Sequence, residues 1–231
     1  MRLKDIFLFC FFCIINYTYS QKGYDVDRKA ISIKEFKSLK VYSGLEVRLI
    51  PSNKNMVYVY GDNIERVVVN LKKETLKIKL SVESIFNPGY NYIEVFFNKK
   101  IKFISAYQGS TISNKKTIKS DQLYIKAKEG SNILTKINVK KIKVNVSSGA
   151  KITFKGSANE LNLKVSTGGL INAKELESIK AKVVSVAGGV SSIRVRQLAH
   201  LKINAGGKIE VYGNPKRIIS KYSFGGKVLF K

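Results

Sequence analysis

Seven glycine-centred turns recur through the second half of this 231-residue chain, 18 to 21 residues apart. They are Gln108-Gly109-Ser110, Glu129-Gly130-Ser131, Ser148-Gly149-Ala150, Gly168-Gly169, Gly188-Gly189, Gly206-Gly207 and Gly225-Gly226. So steady a period calls for stacked coils of one shape, because every unit must offer the same corner at the same place. Alignment on the first glycine of each turn produces apolar columns. Five residues before it stand Ile104, Ile125, Val144, Leu163, Val183, Leu201 and Ser220, and three after it stand Ile112, Ile133, Ile152, Ile171, Ser191, Ile209 and Val228. The columns three before and five after are also mostly apolar, and the intervening positions are mostly polar. Each unit is therefore a strand, a tight turn and a second strand, with alternate side chains pointing inward. One coil cannot bury its own apolar face, so the coils stack in parallel, about 4.8 Å apart. The glycine suits a corner of positive φ or of close backbone approach.

The fold class this predicts is all-β: a parallel β-helix or β-solenoid-like stack of about seven repeats over residues 101–231, preceded by an N-terminal β region over 36–100. In that first region Leu39 and Val41, then Leu45, Val47 and Leu49, alternate with polar residues around a Ser43-Gly44 turn. Leu76, Ile78 and Leu80 mark another strand, as do Ile93, Val95 and Phe97. Between Ile64 and Leu71 one short helical turn is conceivable, but the run Val67-Val68-Val69 favours a strand. Asn87-Pro88-Gly89 reads as a loop tip, with Tyr90 and Tyr92 exposed beside it.

The chain opens on a segment with the marks of export. Arg2 and Lys4 precede an apolar run from Ile6 to Ile15, and small residues Thr18 and Ser20 precede Gln21. Residues 1–20 are expected to be a signal peptide and 21–35 a loosely ordered polar lead-in. Neither Cys13 nor Cys10 follows the Leu-x-small triplet of a lipoprotein anchor. Both lie in the segment to be removed, so the mature chain has no thiol, and no later stretch is apolar enough to cross a bilayer as a helix.

Charge is the second strong feature. The chain carries 42 Lys+Arg against 16 Asp+Glu. Residues 101–231 hold 25 of the basic and 6 of the acidic residues. Such a field attracts anionic polymers and surfaces. Six residues after the first glycine of each turn stand Lys115, Lys136, Lys155, Lys174, Arg194, Tyr212 and Lys231, six of the seven basic. That position should face outward and align one cation per coil. A second outward column, four before the glycine, holds Ser105, Lys126, Asn145, Lys164, Val184, Lys202 and Lys221 and is patchier. Two readings stand for the six-cation ladder: a track for an extended polyanion, or a solvated lysine face that keeps a flat β-surface from aggregating.

Catalytic constellations are missing. His200 is the only histidine, on an expected strand and facing out, so His- or Cys-based zinc sites and a Cys-His pair are excluded for the mature chain. The carboxylates Asp121, Glu129, Glu160, Glu175, Glu177 and Glu210 fall at unrelated offsets in their repeats. The Gly-Gly pairs precede strands rather than helices and lack the context of a phosphate-cradling loop. Neither cofactor nor metal is expected, and no aromatic pattern of a nucleic-acid module occurs.

The stretch from Phe36 to the end resembles the bacterial "putative auto-transporter adhesin, head GIN domain" family. The residues that carry the likeness are Phe36, Leu39, Val41, Gly44 and Val47, then Val57, Val59, Gly61, Asp62 and Asn63. They continue through the glycine turns, Gly169-Leu170-Ile171-Asn172 among them, to Val211-Tyr212-Gly213-Asn214-Pro215 and Gly225-Gly226-Lys227-Val228. The resemblance implies a secreted, solenoid-like domain with no assigned catalytic residues. Three functions stay open at this level. One is a non-enzymatic adhesin-like protein of the periplasm or cell surface that binds an anionic polysaccharide or other envelope polymer. The second is an assembly module that contacts a partner protein. The third is a carbohydrate-active enzyme.

Overall fold

The computed structural model describes residues 28–84 and 89–231. The expected signal peptide, both cysteines and Asn87-Pro88 lie outside the described residues. The strands of the first part are β1 (Arg28–Ser32), β2 (Ser38–Val41), β3 (Glu46–Pro51), β4 (Met56–Gly61), β5 (Val67–Lys72), β6 (Thr75–Leu80) and β7 (Asn91–Phe97). Those of the repeats are β8 (Phe103–Ala106), β9 (Thr111–Asn114), β10 (Ile118–Ala127), β11 (Asn132–Val146), β12 (Lys151–Ser166) and β13 (Leu170–Val186). They end with β14 (Val190–Asn204), β15 (Lys208–Tyr212), β16 (Arg217–Ser223) and β17 (Lys227–Phe230). Among the described residues only two short 3₁₀ turns, Ile64–Arg66 and Val82–Ser84, interrupt the strands. The first is the helical turn the sequence allowed, and the valine run after it is strand β5.

The fold is a β-solenoid. Strands on successive coils pair in parallel, from β8 on β10 through β11, β12, β13 and β14 to β16 on one side of the corner. On the other side, β9 leads through β11, β12, β13, β14 and β15 to β17. A strand such as β11 thus serves both sides, leaving one corner and arriving at the next. Its burial alternates strictly except at Lys140-Lys141, two exposed neighbours that mark a broader bend.

The coils do not stack in chain order at the N-terminal end. β2 pairs in parallel with both β6 and β8, and β3 with both β7 and β9. Strands β2 and β3 with their Ser43-Gly44 corner are therefore a coil of the solenoid, set between coils that follow it in sequence. Beyond β6 and β7 the end is closed by antiparallel strands: β5 on β6, β4 on β7 and β1 on β4. Residues 28–32 are thus a strand, where the sequence pointed to a loose lead-in; Ile31 packs against the core, which its polar neighbours hide in the sequence.

The corner explains the period. In each turn two consecutive residues have positive φ: Ser43 and Gly44, Gln108 and Gly109, Glu129 and Gly130, Ser148 and Gly149, Thr167 and Gly168, Ala187 and Gly188, Ala205 and Gly206, Phe224 and Gly225. Two left-handed residues in succession make a type I′ turn. The sequence showed seven such corners, and Ser43-Gly44 adds an eighth in the same stack. The Gly44 N–H donates to the Gln108 carbonyl (2.8 Å), Gly109 to Glu129 (2.8 Å), Gly130 to Ser148 (3.0 Å) and Gly149 to Thr167 (3.2 Å). Gly206 donates likewise to Phe224 (3.1 Å), so five of the corners are tied to the next in this way.

Where the turn reads Gly-Gly, the two glycines meet different needs. Gly188 has φ +78° and open space around its missing Cβ, so only its conformation demands glycine. At Gly189 a Cβ would stand 2.6 Å from the Val165 carbonyl oxygen of the previous coil. There the stack itself allows no side chain. Other corners fill this second place with residues that are fully buried: Ser110, Ser131 and Ala150. The Ser110 hydroxyl donates to the Val41 carbonyl (3.1 Å) and Ser131 to that of Ala106 (2.9 Å), stitching one coil to its neighbour.

Gly188→Ala is expected to cost about 1 kcal/mol of unfolding free energy, the strain of a left-handed alanine. Gly189→Ala is expected to cost about 3 kcal/mol, because the backbone must move. Urea unfolding midpoints of the two variants measure this; equal costs would contradict the division of labour.

Candidate functional site

Two outward faces flank the corner, and they handle charge differently. The face after the corner carries the ladder expected from sequence. Lys136 and Lys155 are direct partners on β11 and β12. Between Thr153 and Lys155 the β12–β13 register shifts, so Lys155 lies across from Glu175 instead of Lys174. Another shift after Ala173 brings Glu177 opposite Arg194. Arg194 in turn faces Tyr212, while Lys115 and Lys231 lie just beyond the ends of β9 and β17. The ladder is thus divided into short groups.

Carboxylates stand between those groups. Lys155 pairs with Glu175 (2.9 Å), Arg194 with Glu177 (3.5 Å), and Lys174 with Glu210 (3.6 Å). Lys174 also sits over the Tyr212 ring at 5.1 Å, and the Arg194 side chain donates to the Lys174 carbonyl (2.8 Å). Glu210 is the hub. Its side chain is 14% exposed and accepts from Lys208 (2.7 Å) and Ser192 (2.8 Å). Hydrogen bonds from Lys208 first, then Ser192, lower its pKa to about 2. Asp121, at the broad bend, is likewise held at about 2 by hydrogen bonds from Lys100 and Lys140.

On the face before the corner there is little such neutralisation. It is formed by β2, β6, β8, β10 and the later halves of β11 to β14, ending at β16. Two outward columns run along it, four and six residues before the corner glycine. Taken singly each looks patchy, as the sequence indicated for the first. Their register shows one pattern: Tyr124 faces Lys143, which faces Asn162, then Lys182, then His200. In the adjoining column Lys126 faces Asn145, then Lys164, Val184, Lys202 and Lys221. Lysine therefore alternates between the columns from coil to coil: Lys126, Lys143, Lys164, Lys182, Lys202. Successive ammonium-bearing residues are offset by one coil and two residues, about 8 Å at the root of the side chain, instead of the about 5 Å of an aligned row. The stagger lowers mutual repulsion without using carboxylates. Glu160, paired with Lys141 at 3.3 Å, is the one acidic residue within 122–127, 141–146, 160–166, 180–186, 198–204 and 217–223. Among the described residues, none of those five lysines forms an ion pair within 4.0 Å.

Aromatic rings mark the upper part of this face. Phe103 and Tyr124 stack at 5.0 Å between ring centroids and are 44% and 39% exposed. No cation covers either ring among the described residues. The neighbouring stack of Tyr42 and Tyr107 (4.8 Å) differs, with Lys77 and Lys126 over its rings at 5.7 and 5.9 Å. A shallow depression of about 160 Å³ lies on the free side of Tyr124, bounded by Gln122, Lys141, Lys143 and Asn162. A second, of about 400 Å³, continues it past Lys164 to Lys182.

Tyr92 does not join Tyr90 at the surface. Tyr90 is 64% exposed, but Tyr92 lies half-buried on β7 under Arg48 (4.9 Å), donating its hydroxyl proton to Glu94 (3.1 Å). Burial, then the Glu94 bond, pushes its pKa up. His200 is exposed on β14, as expected. Among the described residues no group of three or more His, Cys, Asp or Glu could hold a metal ion, and no helix is long and apolar enough to cross a membrane.

Comparison with known proteins agrees with this architecture. The profile of the family described as "Putative auto-transporter adhesin, head GIN domain" matches residues 35–215. A solved structure described as a putative adhesin from Bacteroides fragilis is 18% identical with a TM-score of 0.74, covering 90% of this chain and 97% of its own. A putative adhesin from Parabacteroides merdae is 16% identical with a TM-score of 0.70, covering 90% and 97%. A structure from Parabacteroides distasonis described as a putative lipid binding protein is 16% identical with a TM-score of 0.66, covering 90% and 98%. No curated protein matches the sequence. The chain belongs to the head GIN domain family, and the likeness to the solved structures is one of fold.

The Glu210 hub makes a test of the ladder face. Because its folded-state pKa lies below the ordinary 4.5, its contribution to stability is present above that value and is lost as pH falls toward 2. Glu210→Gln should therefore destabilise the protein at neutral pH by an amount that shrinks on acidification below about pH 4.5. Urea midpoints of both proteins across that range are the measurement. A difference that stays constant would show that the carboxylate's charge is not what stabilises the cluster.

Proposed function

We propose that this member of the head GIN domain family is an exported, adhesin-like binding protein that holds an acidic polysaccharide along the staggered lysine face. The observation behind this reading is the alternation of Lys126, Lys143, Lys164, Lys182 and Lys202 on a nearly acid-free sheet, the first four with neutral partners on both sides and Lys202 between Val184 and Lys221. Paired lysines have already spent their charge locally. These five keep it for a ligand. Their spacing is regular along the solenoid axis, which suits an extended polymer with a repeating negative group. The side chains between them, Asn145 and Asn162, offer amide donors and acceptors suited to hydroxyl groups.

Tyr124 argues for sugar over other polyanions. One side of its ring rests on Phe103, and the other borders the depression between Lys143 and Asn162. An uncovered ring beside polar groups and a cation can take the apolar face of a pyranose. Single-stranded nucleic acid calls for a succession of free rings, whereas the next stack along is covered by lysines. The column of Lys115, Lys136, Lys155, Lys174, Arg194 and Lys231 then contributes a weaker, partly neutralised second track. This is a binding role without chemistry, at the cell surface or in the periplasm, consistent with the leader-like residues 1–20.

The test is binding of heparin, polygalacturonate and single-stranded DNA by the purified protein over a range of salt. The combined change Lys143→Glu, Lys164→Glu and Lys182→Glu should weaken polysaccharide binding by at least about ten-fold and cut its salt slope by about two. Lys136→Glu with Lys155→Glu should change affinity by less than about three-fold, since the exposed site it alters is already partly paired. Tyr124→Ala should reduce affinity for polygalacturonate more than for DNA. The reading fails if the triple change leaves polysaccharide binding intact, or if DNA alone binds.

A further inference from the structure

On the face before the corner, each coil from β10 to β14 carries one lysine and one neutral residue, two positions apart along the strand. The pairs are Lys126 with Tyr124, Lys143 with Asn145, Lys164 with Asn162, Lys182 with Val184 and Lys202 with His200. Register puts the lysine of each coil beside the neutral residue of the next, so the order within the pair reverses at every step. Over β11, β12 and β13 a trough of about 400 Å³ runs between the two columns. Lys143, Asn162 and Lys182 wall one side of it, and Asn145, Lys164 and Val184 the other. Val144 and Leu163, whose side chains point into the core, form its floor. The reversal is confined to five coils. Above Lys126 stands Ser105, and below Lys202 stands Lys221 in the same column.

A (1→4)-linked uronic acid has the same two-sided character. Its ring carries the carboxylate of C5 on one edge of the chain and the C2 and C3 hydroxyls on the other. In a two-fold ribbon each sugar is turned by half a turn from the last, so the two edges exchange at every step. Coils stand about 4.8 Å apart, close to the length that one such sugar adds to an extended chain, and the long lysine side chains take up the remainder. We propose, resting on the acidic-polysaccharide reading above, that the ligand is a (1→4)-linked polyuronate lying as a two-fold ribbon along the trough, one sugar per coil. Each carboxylate meets a lysine, and each hydroxyl edge meets the neutral residue across from it. Asn145, Asn162 and His200 hydrogen-bond hydroxyls there, while Val184 only makes contact. Five sugars fill the site. Fixed alternation separates this ligand from other polyanions. A polymer with a carboxylate on every second sugar, such as hyaluronan, leaves at least every second lysine unmatched. A single strand of nucleic acid sets its phosphates in one row, which follows one column and not both.

The test exchanges a lysine with its neutral partner and leaves the net charge as it is. Lys143→Asn with Asn145→Lys moves one cation across the trough at two exposed positions of β11, so that three successive cations stand in one column. Lys164→Asn with Asn162→Lys does the same on β12. Urea midpoints verify that each variant folds, and either one suffices. Titration calorimetry with a pentamer of (1→4)-linked mannuronate should show binding weakened about five-fold by each exchange, the worth of one well-placed exposed ion pair. Affinity for single-stranded DNA should change by less than about two-fold, since the number of cations is the same. The unchanged protein should bind the mannuronate pentamer more tightly than a hyaluronan oligomer with an equal number of carboxylates. Exchanges that leave mannuronate affinity intact, or hyaluronan bound as tightly at equal charge, overturn the ribbon, as does a pentamer that fails to bind. The triple change Lys143→Glu, Lys164→Glu and Lys182→Glu tells the two readings apart. If it abolishes polysaccharide binding while the exchanges do not, charge alone holds the ligand and the polysaccharide reading survives without the ribbon. If it leaves binding intact, the polysaccharide reading itself falls.

Discussion

A hydrogen bond between one glycine corner and the next sets the terms for the rest of this molecule. Two left-handed residues turn the chain, and in five of the stacked corners the glycine N–H reaches the carbonyl of the left-handed residue in the following coil. That link pins neighbouring coils at a single point. Strand register is strictly kept over the residues that lead into the corner, from β10 to β16. Past the corner the constraint fades, and shifts appear between Thr153 and Lys155 and between Ala173 and Glu177. One face of the solenoid is thus regular by construction, and the other drifts.

The two faces solve the same electrostatic problem in the way their regularity allows. On the drifting face, shifted register lets Glu175 and Glu177 come between Lys155, Lys174 and Arg194, and Glu210 gathers cations around a single carboxylate. On the regular face no shift can interpose an acid. Over the middle coils lysines are kept apart by alternating between two columns, with Lys143, Lys164 and Lys182 flanked by Asn, Val, His or Tyr, while at the ends Lys202 meets Lys221 and Lys40 meets Lys77. The first arrangement consumes charge within the protein. The second keeps it outward at a fixed interval, which is what an extended anionic polymer can use.

The corners, the inward columns and the solenoid were legible in the sequence, because a 19- to 20-residue period repeats the same φ demand and the same buried positions in each coil. Ser43-Gly44 carried the corner signal but stood outside the period, so its coil was not recognised. The insertion of β2 and β3 between β6–β7 and β8–β9 was hidden, since apolar columns say that a strand stacks and not upon which neighbour. Counting residues from the glycine placed Lys155 and Lys174 in one row; bulges, invisible to counting, separated them. The lysine stagger was present in the letters. It required two patchy columns, at four and six residues before the glycine, to be taken together. Tyr92 was misplaced because its partner Arg48 is distant in sequence.

The central claim is that the regular face, not the drifting one, is the one left free to bind. Lysine acetylation by a limiting reagent, mapped by mass spectrometry with and without an acidic oligosaccharide, addresses it residue by residue. The account predicts that the ligand shields Lys126, Lys143, Lys164, Lys182 and Lys202 together, while Lys136 and Lys155 react as before. Shielding of Lys136 and Lys155 with the other five unchanged would contradict it.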